Sequence, residues 1–126
     1  MATGLTLDSG ALIAAERGDR QFWALWKEAL DRGVPITAQA AVLAQVWRGN
    51  SPVIARMLGA CQVEALTEAR AKQVGRLLGL SRSADVVDAA VVVGAAERRD
   101  TILTSDPEDI ERLVRAVGGS VAIIPI

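Results

Sequence analysis

The sequence predicts an α/β domain: a mainly parallel sheet with helices on both faces. Three observations predict it. Short β-like runs alternate with helical segments along the whole chain, which is the pattern of parallel strands joined by helical crossovers. The 126 residues suit a single domain spanning 1–126, and no internal repeat, linker or low-complexity stretch divides them. A hydrophobic fraction of 51% and a positive mean hydropathy provide for a real core and argue against disorder.

The elements follow in order. Leu5-Thr6-Leu7 is short and β-like, and Asp8 follows it. Residues 9–17 read as helix, with Leu12 and Ile13 apolar and Gly18 as a stop. Residues 21–32 make a better helix, since Phe22, Leu25, Trp26 and Ala29 share one face and Gly33 closes it. Residues 34–37 form a brief extended piece. The helix at 39–48 carries an apolar stripe of Val42, Leu43, Val46 and Trp47. Pro52 opens a further helix to about Leu58, at the position proline favours. Residues 62–66 read as strand. Thr67 suits the cap of a helix from Glu68 to Leu78, closed by Gly79, and 81–83 form a loop. The apolar run 84–99 is too long and too free of proline for a strand, so it is a buried helix. Residues 101–105 make a strand and 107–116 a helix, and Gly118-Gly119 turns the chain into a last strand at 121–124.

Composition narrows the chemistry. Histidine and tyrosine are absent and Cys61 is alone. That removes Ser-His-Asp catalysis, histidine general bases and His- or Cys-ligated zinc. What remains is carboxylate, hydroxyl, lysine and arginine, and oxygen-only ligands point to Mg²⁺ or Mn²⁺. A lone cysteine fits a reducing cytoplasm. The N-terminal MATGLTLDSG has no basic n-region, so no signal peptide is expected, and no charge-free run reaches 18 residues, so no membrane span is expected. With a net charge of −1, bulk charge does not announce a nucleic-acid partner.

The acids are informative by position. In open α/β sheets, ligands sit at the carboxyl ends of the strands. Asp8 stands just after the first strand and Asp106 just after the fourth. Asp88 lies about one turn inside the apolar helix, with Asp85 three residues earlier on the same face. If that helix starts at the same rim, four carboxylates converge, and a divalent cation would relieve their repulsion. Each acid also has a structural reading. Asp8 and Asp106 suit helix N-caps, Asp85 and Asp109 suit first-turn positions facing the helix dipole, and Asp88 is the hardest to explain that way.

The opening LTLDSGALIA, the middle AAVLAQVWRG and the late ADVVDAAVVVGAAERRDTILTSDPED resemble PIN-domain proteins, specifically the VapC-type toxins of toxin–antitoxin pairs. The resemblance spans nearly the whole chain in the right order. It implies a three-layer α/β/α fold and a Mg²⁺-dependent endoribonuclease, with Mn²⁺ as a substitute metal. It carries the family's metal-binding acids onto Asp8, Asp88 and Asp106, with Asp85 close enough to share the site. It also implies an RNA substrate, a homodimer, and a cognate antitoxin whose tail lies across the active site. One position departs: Gln45 stands where the pattern has glutamate. Gln45 could position a water or substrate oxygen through its carbonyl, or be a solvated helix residue. Without its charge, one tight metal is expected rather than two, with Asp85 supplying the missing charge.

On this reading Asp8, Asp88 and Asp106 hold the metal and Asp85 orients the attacking water, with Ser9, Thr104 and Ser105 beside them. Arg17, Arg20, Arg48, Arg70, Lys72, Arg76 and Arg82 are the cations available to offset an acidic pocket, or they are simply a solvated face. Trp23, Trp26 and Trp47 suit core packing or a dimer or antitoxin surface better than base stacking. Three rivals remain. A catalytically dead PIN domain that only binds RNA or antitoxin is kept open by Gln45. A receiver-like phosphoacceptor would need a second acid beside Asp8, where Ser9 stands, and a Lys after the last strand. A nucleotide-binding module would need a Gly-rich phosphate loop, and none of the expected spacing is present.

Overall fold

β1 (Leu5–Leu7) is the middle strand of five. The computed structural model describes residues 3–126; the first two residues, part of the stretch read above for a leader, lie outside the described residues. β2 (Ile36–Gln39) and β4 (Thr101–Thr104) flank β1, and β3 (Gln62–Glu64) and β5 (Ile123–Pro125) form the edges, in the order β3-β2-β1-β4-β5. All four pairings are parallel. The sheet is thus wholly parallel where the sequence predicted a mainly parallel one.

Among the described residues seven helices connect the strands: α1 (Ser9–Glu16), α2 (Arg20–Arg32), α3 (Ala40–Val46), α4 (Pro52–Leu58), α5 (Glu68–Ser81), α6 (Val86–Arg98) and α7 (Pro107–Ala116). Right-handed crossovers put α1–α4 on one face and α5–α7 on the other, because the chain steps outward from β1 to β3 and then returns past β1 to β4. The packing agrees: α1 touches α2, α3 and α4, while α5, α6 and α7 touch one another. The strand order reverses between β1 and β4. In doubly wound sheets that switch point opens a crevice at the carboxyl ends of the strands.

Several boundaries differ from expectation. β2 lies two residues later than the predicted extended piece, β3 stops at Glu64 rather than Leu66, and β5 begins at Ile123 rather than Val121. Gly79 does not close α5, which runs on to Ser81. A helical glycine costs only about 1 kcal/mol, and the buried Val74 and Leu77 anchor the helix more strongly than that. The stop is Arg82 in the left-handed conformation, with the Ser81 hydroxyl donating to the Leu77 carbonyl. α6 starts at Val86 rather than Ala84, which makes Asp85 its N-cap.

One polar network lies in the α6 face of the sheet. Arg98 donates through Nε to Asp100 at 2.9 Å, through one terminal nitrogen to Glu64 at 2.5 Å and through the other to Thr6 at 3.1 Å. Thr6 donates onward to Asp100 at 2.8 Å and Gln39 donates to Glu64 at 2.7 Å. Arg70 bridges Glu64 and Glu97 at 3.2 and 3.0 Å. Arg70 was read as a candidate RNA-facing cation; it is instead buried in these ion pairs. Burial by itself would raise Glu64, but the Gln39 amide and the Arg98 and Arg70 charges overcome it and hold its carboxyl below the ordinary value. Gly94 makes room for the network, since a Cβ there would stand 2.4 Å from the Gln39 amide nitrogen and 2.8 Å from Glu64 Oε1.

Candidate active site

The acids at the switch point are placed by the ends of β1 and β4 and the start of α6. Asp8 follows β1 directly. Its backbone N–H continues the ladder to the Leu103 carbonyl at 3.2 Å, and its side chain caps α1 by accepting from the Ala11 N–H at 2.8 Å. Asp8 is 4% exposed. Burial raises its carboxyl above the ordinary value, Thr104 and the Ala11 and Gly10 amides oppose that through hydrogen bonds, and the Asp106 charge adds to the rise. Thr104, the last residue of β4, also accepts from the Asp106 N–H at 2.8 Å. One buried hydroxyl therefore ties the ends of both central strands together.

Asp106 holds the N-cap position of α7 but makes no side-chain cap bond. Its carboxyl is exposed at the rim and pairs with the Asp109 carboxyl, where the structural reading had it committed to capping. It is raised first by a hydrogen bond with the Asp109 carboxyl, then by slight burial and the Asp109 charge. Asp85 does cap, accepting from the Asp88 N–H at 2.9 Å. Asp88 is the third residue of α6, in its first turn rather than beyond it, so the helix dipole partly suits it. Even so, its carboxyl is pushed up to about 7 by partial burial and by the charges of Asp85, Asp8, Asp106 and Asp109. Asp8, Asp85, Asp88 and Asp106 thus converge at one rim, and Asp109, first assigned a purely structural role, joins them electrostatically.

By donor type and charge excess the site fits a hard divalent cation: the ligands are oxygens, and Asp88 carries a burden that a cation would relieve. The oxygens are not gathered into a finished cage. Among the described residues no group of three acidic, His or Cys side chains stands ready to hold a metal ion. The reason is local, since Asp8 and Asp85 each turn an oxygen onto a helix N-terminal N–H.

Gly10 lets α1 start against the end of β4. A Cβ there would stand 1.7 Å from Ser105 Oγ and 2.7 Å from Ser105 Cβ. Gly10→Ala should cost about 1–3 kcal/mol and weaken Mn²⁺ binding, because Asp8 must shift with α1. Thermal unfolding and Mn²⁺ titration would check this, and adding Ser105→Gly should restore both.

On the opposite side of Asp8, Ser9 donates its hydroxyl to Gln45 Oε1 on α3. Gln45 is exposed, and its carbonyl accepts one hydrogen bond from the residue next to Asp8.

No protein-family model matches the chain, and no curated protein matches it. Solved structures do match. VapBC2 from Rickettsia felis, bound to a DNA fragment from their promoter, is similar over 97% of this chain and 98% of that chain, with a TM-score of 0.74 and 13% identity. DNA-bound VapBC from Salmonella typhimurium matches over 98% of each chain, at TM-score 0.72 and 13% identity. A toxin–antitoxin complex from Klebsiella pneumoniae matches over 96% of each, at TM-score 0.69 and 18% identity.

The chain has the PIN-like fold.

In that fold the switch-point acids occupy the crevice between β1 and β4, where doubly wound sheets take their ligands. The aromatic side chains lie elsewhere. Phe22 and Trp26 are buried, and Trp23 and Trp26 line an apolar groove of about 450 Å³ between α2 and α4 with Leu30, Val53, Arg56 and Met57. Trp47 is exposed. Among the described residues no helix is long and apolar enough to cross a membrane.

Proposed function

We propose that this chain is a Mg²⁺- or Mn²⁺-dependent endoribonuclease and the toxin of a toxin–antitoxin pair. The observation that carries the reading is the convergence of Asp8, Asp85, Asp88 and Asp106 at the switch point, with Asp88 raised to about 7. Likeness to toxin–antitoxin structures supports the biological setting. A cognate antitoxin, an RNA substrate and a homodimer belong to the same proposal.

Asp8, Asp88 and Asp106 would hold the ion. When bound, it would supply Lewis-acid stabilisation of phosphate charge and a water of lowered pKa. Asp8 is the fixed point of the set, locked by Ala11 and Thr104. Asp106 is exposed, and an incoming ion would replace its hydrogen bond with Asp109. Asp85, exposed at the α6 cap with one oxygen engaged, has its other oxygen available to orient a water.

The test is cleavage of a mixed RNA pool. Cutting should require Mg²⁺ or Mn²⁺, stop in EDTA, and fall at least a hundredfold in Asp88→Asn. Metal-independent cutting, or full activity in the variant, would reject the reading. A second reading, a PIN-like module that binds RNA or antitoxin without cutting, is favoured by the neutral Gln45 and the unfinished metal cage. It expects RNA binding with no cleavage in either metal.

A further inference from the structure

The Ser9–Gln45 contact assigns a direction to the Gln45 amide. Ser9 is the residue next to Asp8, and its hydroxyl donates to Gln45 Oε1. The carboxamide carbonyl is thereby occupied. The other half of the group, Nε2, carries two N–H donors, and among the described residues it donates to nothing in the protein. Gln45 is exposed on α3, and α3 packs directly against α1, which begins at the acid rim. A neutral donor stands at the edge of a strongly acidic crevice.

Two things a side chain could do there have opposite chemical requirements. Holding a cation would require Gln45 Oε1 to offer its second lone pair while Ser9 holds the first. Receiving an anion needs a free N–H, and Gln45 has two. The crevice itself also makes a donor useful. Asp8, Asp85, Asp88, Asp106 and Asp109 repel an approaching phosphate, and a neutral N–H at the rim attracts a phosphate oxygen without competing with the cation for the carboxylates.

We infer that Gln45 is a substrate-positioning residue that donates its amide N–H to a phosphate oxygen of the bound nucleic acid and does not ligate the metal. This rests on the nuclease reading above and deepens it. Ser9 acts through Gln45 by holding its carbonyl, which among the described residues leaves the amide N–H groups unengaged. A carboxylate at position 45 would reverse the arrangement, removing the donor and adding a negative charge beside Asp8.

Two equilibrium titrations test this on the whole chain, using Gln45→Ala, Gln45→Glu and Ser9→Ala. Mn²⁺ binding is followed by the paramagnetic resonance signal of the free ion. Binding of a fluorescent mixed-sequence single-stranded RNA is followed by anisotropy in Ca²⁺, which takes the same class of oxygen ligands. Gln45→Ala should weaken RNA binding five- to tenfold and leave Mn²⁺ affinity within twofold. Gln45→Glu should weaken RNA at least as much while tightening Mn²⁺ or adding a second ion. Ser9→Ala should weaken RNA binding two- to fivefold. A Gln45→Ala protein that loses Mn²⁺ affinity threefold or more would show Gln45 to be a ligand and overturn the inference. Unchanged RNA binding in that variant would overturn it equally. An unaltered chain that binds no Mn²⁺ but loses RNA on Gln45→Ala would reject the metal reading alone and leave the donor role standing.

Discussion

Asp88→Asn should make the metal-free protein more stable at pH 8, not less. Asp88 is raised from 3.8 to about 7 by partial burial and by Asp85, Asp8, Asp106 and Asp109. The folded chain therefore holds a proton on Asp88 that the unfolded chain releases near pH 4. The stability from that proton is complete below about pH 4 and is lost as pH rises through about 7. By pH 8 the loss is on the order of 2–4 kcal/mol. Asparagine keeps the shape and removes the charge, so the variant should lack this decline. Asp8 and Asp106 are raised as well and slope the same way, whereas Glu64 is lowered and slopes oppositely. These acids are common to both proteins but interact with Asp88, so the difference between the two reports Asp88 together with the repulsion its removal relieves. Urea unfolding in EDTA at pH 5 and pH 8 would measure it. Equal or lower stability of the variant at pH 8 would mean the acids do not crowd one another as described.

The order should invert with metal. Ions that bind only the folded state stabilise it by RT ln(1 + [L]/Kd), about 4.1 kcal/mol at a thousandfold excess over Kd. At pH 8 in excess Mn²⁺ the unaltered chain should gain such an increment and Asp88→Asn should gain little. The same residue thus costs stability without the cation and contributes it with the cation.

Arg98→Met is expected to produce the largest loss of fold stability. Arg98 is the only group described that touches Glu64, Asp100 and Thr6 together. Its methionine replacement keeps much of the bulk but leaves Asp100, 5% exposed, and Glu64 without their main cation. Stranding buried carboxylates in this way typically costs 3–5 kcal/mol, and partial exposure of Glu64 brings the expectation to about 3. Arg98→Lys should recover only part, because an ammonium cannot serve three acceptors as a planar guanidinium does. Equilibrium unfolding at pH 7 would check both. A loss under 1 kcal/mol for Arg98→Met would show that water or Arg70 replaces Arg98 at little cost. The site acids lie at the other end of α6, so Mn²⁺ affinity of the folded variant should stay within about twofold if the two ends are energetically independent.

Much of the site was legible because it follows from sequence position. Asp8 and Asp106 come directly after apolar β-like runs, and strand ends in a parallel sheet share one rim. Asp88 stands out because a carboxylate in a run of Val and Ala is costly unless something offsets it. The cap assignments were only partly legible. Asp8 does cap its helix, but Asp106, followed by Pro107, had the better capping signature and makes no cap bond. Its carboxyl pairs with Asp109 and its backbone N–H donates to Thr104, and cap geometry of that kind depends on neighbours a linear pattern does not contain.

Local sequence alone determined the alternation of strand and helix, the oxygen-only chemistry, and the acids at the strand ends, because each rests on residue type and short-range spacing. Tertiary structure decided the rest. Strand order places the reversal between β1 and β4, since that order depends on which strands pair across long stretches of chain. Arg98 meets Glu64 and Thr6, 34 and 92 positions away in sequence, a pairing no local pattern encodes. Gln45 turns its carbonyl to Ser9 only because α3 packs on α1, and side-chain direction of that kind is settled by packing between elements rather than by the sequence within one.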